Sequence, residues 1–481
     1  MNCYAGLTNL AFMIEAHRGF RSKHLAQLHK THPIIRTGPN SLSYGDLRAI
    51  KDIYGHNTKC LKDVTYTTLA GTHFHLADVI DKADHARKRK VLSAAYALKN
   101  LEAWEFKVAD KTERLIRQFD TRCTTPLPAN ITRPVTEDLN VDYRMWANFF
   151  TLDAIADIGL SEKLGFLDRG HDRITARRTD GSTYEVNFRQ CLYENAHIQS
   201  LLIWNYDWYS IVRKLASWLP FYCRLDKLAA CWDGIVLERS AQRLKRYQAG
   251  EKLDDFFQAL MESKDGKPND LEWGEIVAEV NVMMNAGSVT TAIAMANVLH
   301  QLLKLPKILE KLRVEIDAVM DENEIIAPYE KVRNLPYLRA CLDESLRLFP
   351  PTSHGLTRAT PPEGSIILDD FIAGDTTVSM SAFVAHRDET VFPEPEKFIP
   401  ERWLGEKGKE LQPYFIAFSA GARGCIGRNI SYLEQTVLLA SVLHRYEFAL
   451  PEAGWEIQRL ETFNLILGEM PVKIWRRGER S

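Results

Sequence analysis

The chain has 481 residues, 45% of them hydrophobic and 26% charged, the balance of a globular protein with a large core and not of a disordered one. Its 61 Lys and Arg against 63 Asp and Glu give a net charge of −2, so the chain lacks the basic field on which nucleic-acid binding draws, and no nucleic-acid partner is expected. Eight cysteines (Cys3, Cys60, Cys123, Cys191, Cys223, Cys231, Cys341 and Cys425) show no C-x-x-C or zinc-ribbon spacing, which argues against a structural metal and fits a reducing compartment better than a disulfide framework. Length alone suggests about three domains, yet no linker or charge block divides the chain. A single domain over residues 1–481 is expected.

In chain order, the first apolar stretch runs from Cys3 to Ile14. Asn9 interrupts it, and it falls short of the roughly 18 residues that spanning needs, so neither a transmembrane helix nor a signal peptide is expected there. From Asp84, the run His85-Ala86-Arg87-Lys88-Arg89-Lys90 continues into alanine-rich sequence and predicts a helix with cations spread round it. Such a run is ordinarily a solvated face. Between Ile198 and Tyr222 aromatics crowd (Trp204, Tyr206, Trp208, Tyr209, Trp218, Phe221 and Tyr222), which reads either as core or as a channel mouth or membrane-facing lip.

Asn269 followed by Glu272 resembles a capping box, and no proline interrupts the apolar sequence from there to Pro306. This predicts a helix of about 30 residues, roughly 45 Å long. At its centre stands Asn285-Ala286-Gly287-Ser288-Val289-Thr290-Thr291. A mid-helix glycine costs about 1 kcal/mol against alanine, so Gly287 implies a close backbone approach. Helices continue to Leu348, where Phe349-Pro350-Pro351 stops them; strand character follows over Ile366 to Met380, with Gly364 and Gly374 as turn signals. A proline-rich irregular segment spans Phe392 to Trp403, and Asn429 to Leu443 reads as helix again.

The segment Phe418 to Arg428 surrounds Cys425 with Gly421, Gly424 and Gly427. Those glycines permit a tight loop whose N–H groups point at sulfur, and the following helix places its positive end nearby. Both favour thiolate over thiol, and Arg423 offers a cation suited to a cofactor carboxylate. A buried structural cysteine in a glycine-rich turn is the commoner outcome for any one cysteine, and composition alone leaves both readings open.

Phe418, Gly421, Arg423, Cys425 and Gly427 match the F-x-x-G-x-R-x-C-x-G loop of the cytochrome P450 family, and the chain resembles that family over nearly its whole length. Glu344 and Arg347 match its E-x-x-R, Phe398 to Trp403 its arginine-bearing meander with Arg402, and Ala286 to Thr291 most of A-G-x-[D/E]-T-T. The resemblance implies a mainly α fold with a smaller β-rich lobe, and a haem b between the long central helix and the Cys425 loop, with Cys425 as the axial ligand of the iron. It implies contacts from Phe418, Gly421, Gly427, Ala286 and Gly287, and propionate partners in His85, Arg89, Arg358 and Arg423. Glu344, Arg347 and Arg402 are expected to lock the core beside the loop. Thr290, with Thr291 beside it, falls at the oxygen-side position. Val289 stands where the family has an acid, which puts the usual proton relay in doubt.

No flavin domain and no G-x-G-x-x-G after a strand is present, so electrons are expected from a separate NADPH-cytochrome P450 reductase, with cytochrome b5 as a second donor. Arg87, Lys88 and Lys90 fall where family members dock an acidic reductase. The phrase Ile35-Arg36-Thr37-Gly38-Pro39-Asn40 is similar to that of microsomal filamentous-fungal members. These usually begin with a membrane anchor and a proline-rich hinge, and the sequence given is expected to start just after both. The expected activity is oxygen insertion into a small lipophilic substrate in fungal secondary or aromatic metabolism, using O2, at the cytosolic face of the endoplasmic reticulum membrane. The alternatives are a same-fold haem enzyme that couples, cyclises or isomerises without net oxygen insertion, and a non-catalytic haem protein. Selectivity is expected from Thr65 to Val79, Trp204 to Tyr222, Met284 to Thr290 and the residues after Pro351.

Overall fold

The computed structural model describes residues 8–69, 71–96, 102–128, 131, 133–178, 181–202, 208–263 and 265–478. Nine helices matter for the site: α1 (Leu10–His17), α2 (Lys82–Ala95), α3 (Tyr143–Leu160), α4 (Phe188–Leu202), α5 (Tyr209–Ala216), α6 (Pro220–Gln248), α7 (Trp273–Lys304), α8 (Pro336–Leu348) and α9 (Arg428–Arg445). The smaller lobe centres on a five-stranded sheet made of β1 (Ile34–Gly38), β2 (Ser41–Tyr44), β3 (Leu61–Lys62), β4 (Arg358–Ala359) and β5 (Thr377–Ser379). Its order is β1-β2-β5-β4-β3, and only the β2/β5 pair is parallel. The fold is mainly helical with a β-rich lobe, as the sequence predicts.

The 32-residue helix α7 is the axis of the core. Its cap differs from the expectation by three residues. Glu272 is the N-cap and exchanges hydrogen bonds with Glu275, whereas Asn269 turns its amide to the Ala259 carbonyl at 2.8 Å. Both acidic positions lie where the helix dipole favours negative charge. Among the described residues α7 is also the one helix long and apolar enough to cross a membrane, and most of that stretch is packed inside the protein.

Close approach explains the mid-helix glycine. A Cβ at Gly287 would lie 2.8 Å from Ile155 on α3, and Gly159 of α3 faces Met283 of α7 in the same way. The two helices therefore interlock through one glycine each. Around them α3, α7, α8 and α9 share one core, and a second cluster under the sheet holds Tyr44, Ile53, Ile367, Val378 and Met380. Each such Leu, Ile or Phe contributes about 1.5–3 kcal/mol by leaving water.

Candidate active site

A cavity of about 310 Å³ opens between α7, α2, the sheet and the loop before α9. Residues 279, 282, 283, 286, 287, 290, 291 and 294 of α7 face it, the i, i+3, i+4, i+7 stripe of one helix side. Opposite lies the Cys425 loop. Phe418, Arg423, Gly424, Cys425, Ile426 and Gly427 all border the same space, as Ala286, Gly287, Thr290 and Thr291 do from the helix side.

The loop closes through Cys425 N–H donating to the Phe418 carbonyl at 2.9 Å. Gly421 takes φ +65°, and a Cβ there would run into the backbone of Tyr54 and Gly55, so no side chain fits. Cys425 is open to the cavity while protein surrounds it on its other sides. Burial raises its thiol pKa; the Gly427 N–H, the Arg89 and Arg428 cations and the Arg428 N–H pull the other way. These are the donors and charges that a thiolate requires. Phe418 packs on Tyr432 of α9, ring centroids 5.3 Å apart, which fixes one end of the loop.

Five basic side chains gather at one end: Lys62, His85, Arg89, Arg358 and Arg423. Strand pairing brings two of them together, since Lys62 of β3 stands opposite Arg358 of β4. Arg89 donates to the Gly424 carbonyl at 2.8 Å, and Arg423 to those of Val79 at 2.5 Å and Ile80 at 2.9 Å. Burial, and then Arg358, lower the Arg423 pKa to about 10. Burial, followed by Arg423, Arg89, Lys62 and Arg358, lowers that of His85 to about 4. Like charges crowd here, and an anionic group placed among them would relieve the repulsion.

Glu344, Arg347 and Arg402 form one hydrogen-bonded cluster. Glu344 and Arg347 are fully buried on α8, with Arg347 Nε 2.8 Å from Glu344 Oε2 and Nη2 2.9 Å from Oε1. Arg402 Nε reaches Oε1 at 3.1 Å, and Trp403 Nε1 reaches Oε2 at 2.9 Å. The remaining donors of Arg347 go to the carbonyls of His386, Pro395 and Lys397, so the pair holds the meander in place.

Several residues sit differently from the sequence reading. Thr290 Oγ1 faces the cavity and donates to the Ala286 carbonyl at 2.8 Å, whereas Thr291, about 100° further round, donates to Ser431 of α9 at 2.9 Å. Val289 is buried in the core on another face of α7 and does not line the cavity. Lys88 is a correction: expected on a docking face, it points inward and binds Glu275 at 2.6 Å, because α2 packs that side against α7. Arg87 and Lys90 do reach the surface. Of the crowded aromatics, Tyr209 is buried while Trp208, Trp218 and Phe221 are exposed; Trp204 and Tyr206 lie outside the described residues. Sequence reasoning missed Lys62 and Glu279, whose two-residue strand and helix face carry no signature of their own.

The cytochrome P450 family model matches residues 11–475. The chain belongs to the cytochrome P450 family. It is 28% identical over 460 residues, 94% of this chain and 87% of the relative, to benzoate 4-monooxygenase bphA of Aspergillus niger. It is 29% identical to cytochrome P450 monooxygenase efuB of Hormonema carpetanum, covering 90% of this chain and 81% of that one. Tryprostatin B 6-hydroxylase of Aspergillus fumigatus is 25% identical, over 97% of this chain and 78% of the relative. The crystal structure of a cytochrome P450, CYP102L1, shares the fold with a TM-score of 0.73 at 20% identity, covering 97% of this chain and 96% of that chain.

This P450 is therefore a monooxygenase-family enzyme, and family membership implies a haem-thiolate iron, a redox partner, O2 and a substrate. The residues present fit that cofactor. A thiol faces the cavity, Leu92, Ala286 and Ile430 offer apolar walls, and the cation cluster suits two propionates. Among the described residues no group of three or more His, Cys, Asp or Glu offers a rival metal site.

Proposed function

We propose that Cys425 is the axial ligand of a haem b in this cavity, and that the enzyme inserts oxygen into a small lipophilic substrate of fungal secondary or aromatic metabolism. The observation that carries this reading is a single thiol facing the stripe of α7 that bears Thr290, beside the basic cluster of Lys62, His85, Arg89, Arg358 and Arg423. Bound there, the haem supplies reductive activation of O2, with thiolate ligation favouring O–O cleavage. The chain's own groups do the rest. The N–H groups of Gly427 and Arg428 and the Arg89 guanidinium stabilise negative charge on Cys425 Sγ. Arg358, Arg423, His85 and Arg89 orient the propionates. Thr290 Oγ1 donates its proton to Ala286, which leaves its lone pairs to hold a water on the oxygen side. Thr291 has a positioning role, fixing α7 to α9 through Ser431.

Electrons come from an NADPH-cytochrome P450 reductase, with cytochrome b5 as a second donor, and Lys90 on α2 offers an exposed cation to an acidic partner, next to Arg87, which is exposed but paired with Asp84 and Glu275. A membrane surface, that of the endoplasmic reticulum on its cytosolic face, is the proposed location. Support comes from Trp208, Ile211, Leu215 and Trp218, an exposed apolar stripe along α5 at helical spacing, continued by Leu219 and Phe221.

The test is the spectrum of the reduced protein with carbon monoxide. The strongly red-shifted Soret band of thiolate ligation is expected, and Cys425→His should abolish the shift while haem stays bound. An unshifted band from folded, haem-replete wild type overturns the assignment.

A further inference from the structure

Glu279 is the one carboxylate among the described residues that line the cavity, against six basic groups, Lys62, His85, Arg89, His354, Arg358 and Arg423. It lies on the same stripe of α7 as Thr290. Eleven residues separate them, about 20° round the axis and about 16 Å along it. Its Oε1 accepts the Leu76 N–H at 2.8 Å, and Lys88 Nζ stands 3.9 Å from the same oxygen. Lys88 makes its short contact elsewhere, to Glu275 at 2.6 Å. The residue is thus buried, held by one oxygen and only loosely paired, and it lines the cavity. A group kept there at a desolvation cost, with no strong partner, is available for a ligand.

Resting on the haem-enzyme reading above, we propose that Glu279 determines specificity: as a neutral carboxylic acid it donates a hydrogen bond to an acceptor oxygen, such as a carbonyl, at the end of an elongated lipophilic substrate whose other end reaches Thr290. Burial raises the Glu279 pKa to about 8, with Lys88 and the Leu76 N–H opposing and Asp78 and Glu275 reinforcing. That direction favours the protonated donor over a carboxylate that would select an amine. The neighbouring wall supports the same chemistry. Leu76, Phe256, Leu260 and Met283 add apolar and aromatic surface to the same cavity, which suits a lipophilic body.

The experiment uses full-length, haem-replete protein and three probes of equal length: heptylbenzene, its analogue ending in a methyl ketone, and its analogue ending in trimethylammonium. Dissociation constants come from the substrate-binding difference spectrum. The ketone should bind wild type about tenfold tighter relative to heptylbenzene than it binds Glu279→Leu, the worth of one hydrogen bond in a dry site. Comparing the two ratios cancels the probes' differing solubility. Glu279→Gln, whose amide keeps both an acceptor for Leu76 and a donor, should retain the ketone preference. An equal ratio in wild type and Glu279→Leu, or a trimethylammonium probe that binds wild type best, overturns the proposal. If Glu279→Leu does not fold, Glu279→Met takes its place in the comparison, and an equal ratio in wild type and Glu279→Met overturns the proposal. The carbon monoxide spectrum of the same samples separates the two readings: a shifted band with no ketone preference leaves the haem assignment standing and removes this one.

Discussion

Glu344 accepts five hydrogen bonds in a site closed to water, from Arg347 twice, Arg402, Trp403 and the Ile399 N–H. Removing it leaves the Arg347 guanidinium buried and unpaired, at a cost of about 3–5 kcal/mol, a large share of a domain's stability. Glu344→Ala should therefore give little soluble protein or protein without haem; a soluble variant with a full haem complement would show that the pair is dispensable. That the two can pair is legible in a local i,i+3 spacing, but their burial is not, and only the resemblance to the family's E-x-x-R implies it. The role of His386 is not legible, since nothing in the sequence says that its Nε2 accepts the Ile416 N–H at 2.9 Å while Nδ1–H donates to the Arg347 carbonyl at 3.1 Å. Burial, and then Arg347, lower its pKa from 6.5 to about 3. The folded state thus refuses a proton that the unfolded state accepts, so the stability is full above pH 6.5 and is lost as pH falls from there towards 3. By pH 5 the loss is about 2 kcal/mol. Urea unfolding of wild type and His386→Gln at two pH values checks this: the gap between them should narrow by about that amount on going from pH 7.5 to pH 5, and an unchanged gap contradicts it.

At the scale of elements, α7 shows what periodicity reveals and what it hides. An uninterrupted apolar pattern gives its existence and length, and the glycine marks a contact, but the partner, Ile155 on α3, lies 132 positions away and leaves no trace in the local pattern. The same holds for Lys62, since a strand of two residues has no period to detect and is made by pairing with β4. The capping box was misplaced because two overlapping x-x-Glu frames satisfy one rule and tertiary contacts choose between them. Gly287 provides a test of the interlock. In an unobstructed helix Gly→Ala gains about 1 kcal/mol, but against Ile155 the new methyl costs about 1–3 kcal/mol. Gly287→Ala should lower stability in the wild-type background and raise it by about 1 kcal/mol in an Ile155→Ala background. Thermal melts of the four proteins read the sign change, and the same sign in both backgrounds rejects the close contact as its cause.

For the whole molecule, the aromatic segment after Ile198 shows most clearly why a sequence leaves some surfaces undecided. Core and lip have the same helical spacing, and only the neighbours separate them. Tyr209 packs under α6 with Ile198, Leu202 and Leu225, while Trp208, Ile211, Leu215 and Trp218 run along the outer side of α5. Trp218 keeps 81% of its surface exposed, an arrangement that a water-facing helix gains nothing from. The helix α1 packs on α4 beside this stripe, with His17 Nε2 and Tyr222 Oη 3.0 Å apart, so the chain's first described helix and the apolar lip occupy one side of the protein. Lys214 on α5, and Arg213 paired with Asp226, supply the basic flank that an interfacial helix uses towards headgroups. Full burial of a Leu, Phe or Trp side chain is worth about 1.5–3 kcal/mol, so even partial insertion of three of them exceeds the 1.4 kcal/mol of a tenfold change in partitioning. Flotation of the purified protein with phosphatidylcholine vesicles should recover it with lipid, and the combined variant Leu215→Ser, Trp218→Ser, Phe221→Ser should partition at least tenfold less while its carbon monoxide spectrum stays unchanged. Equal flotation of the two proteins would leave the stripe without a membrane role.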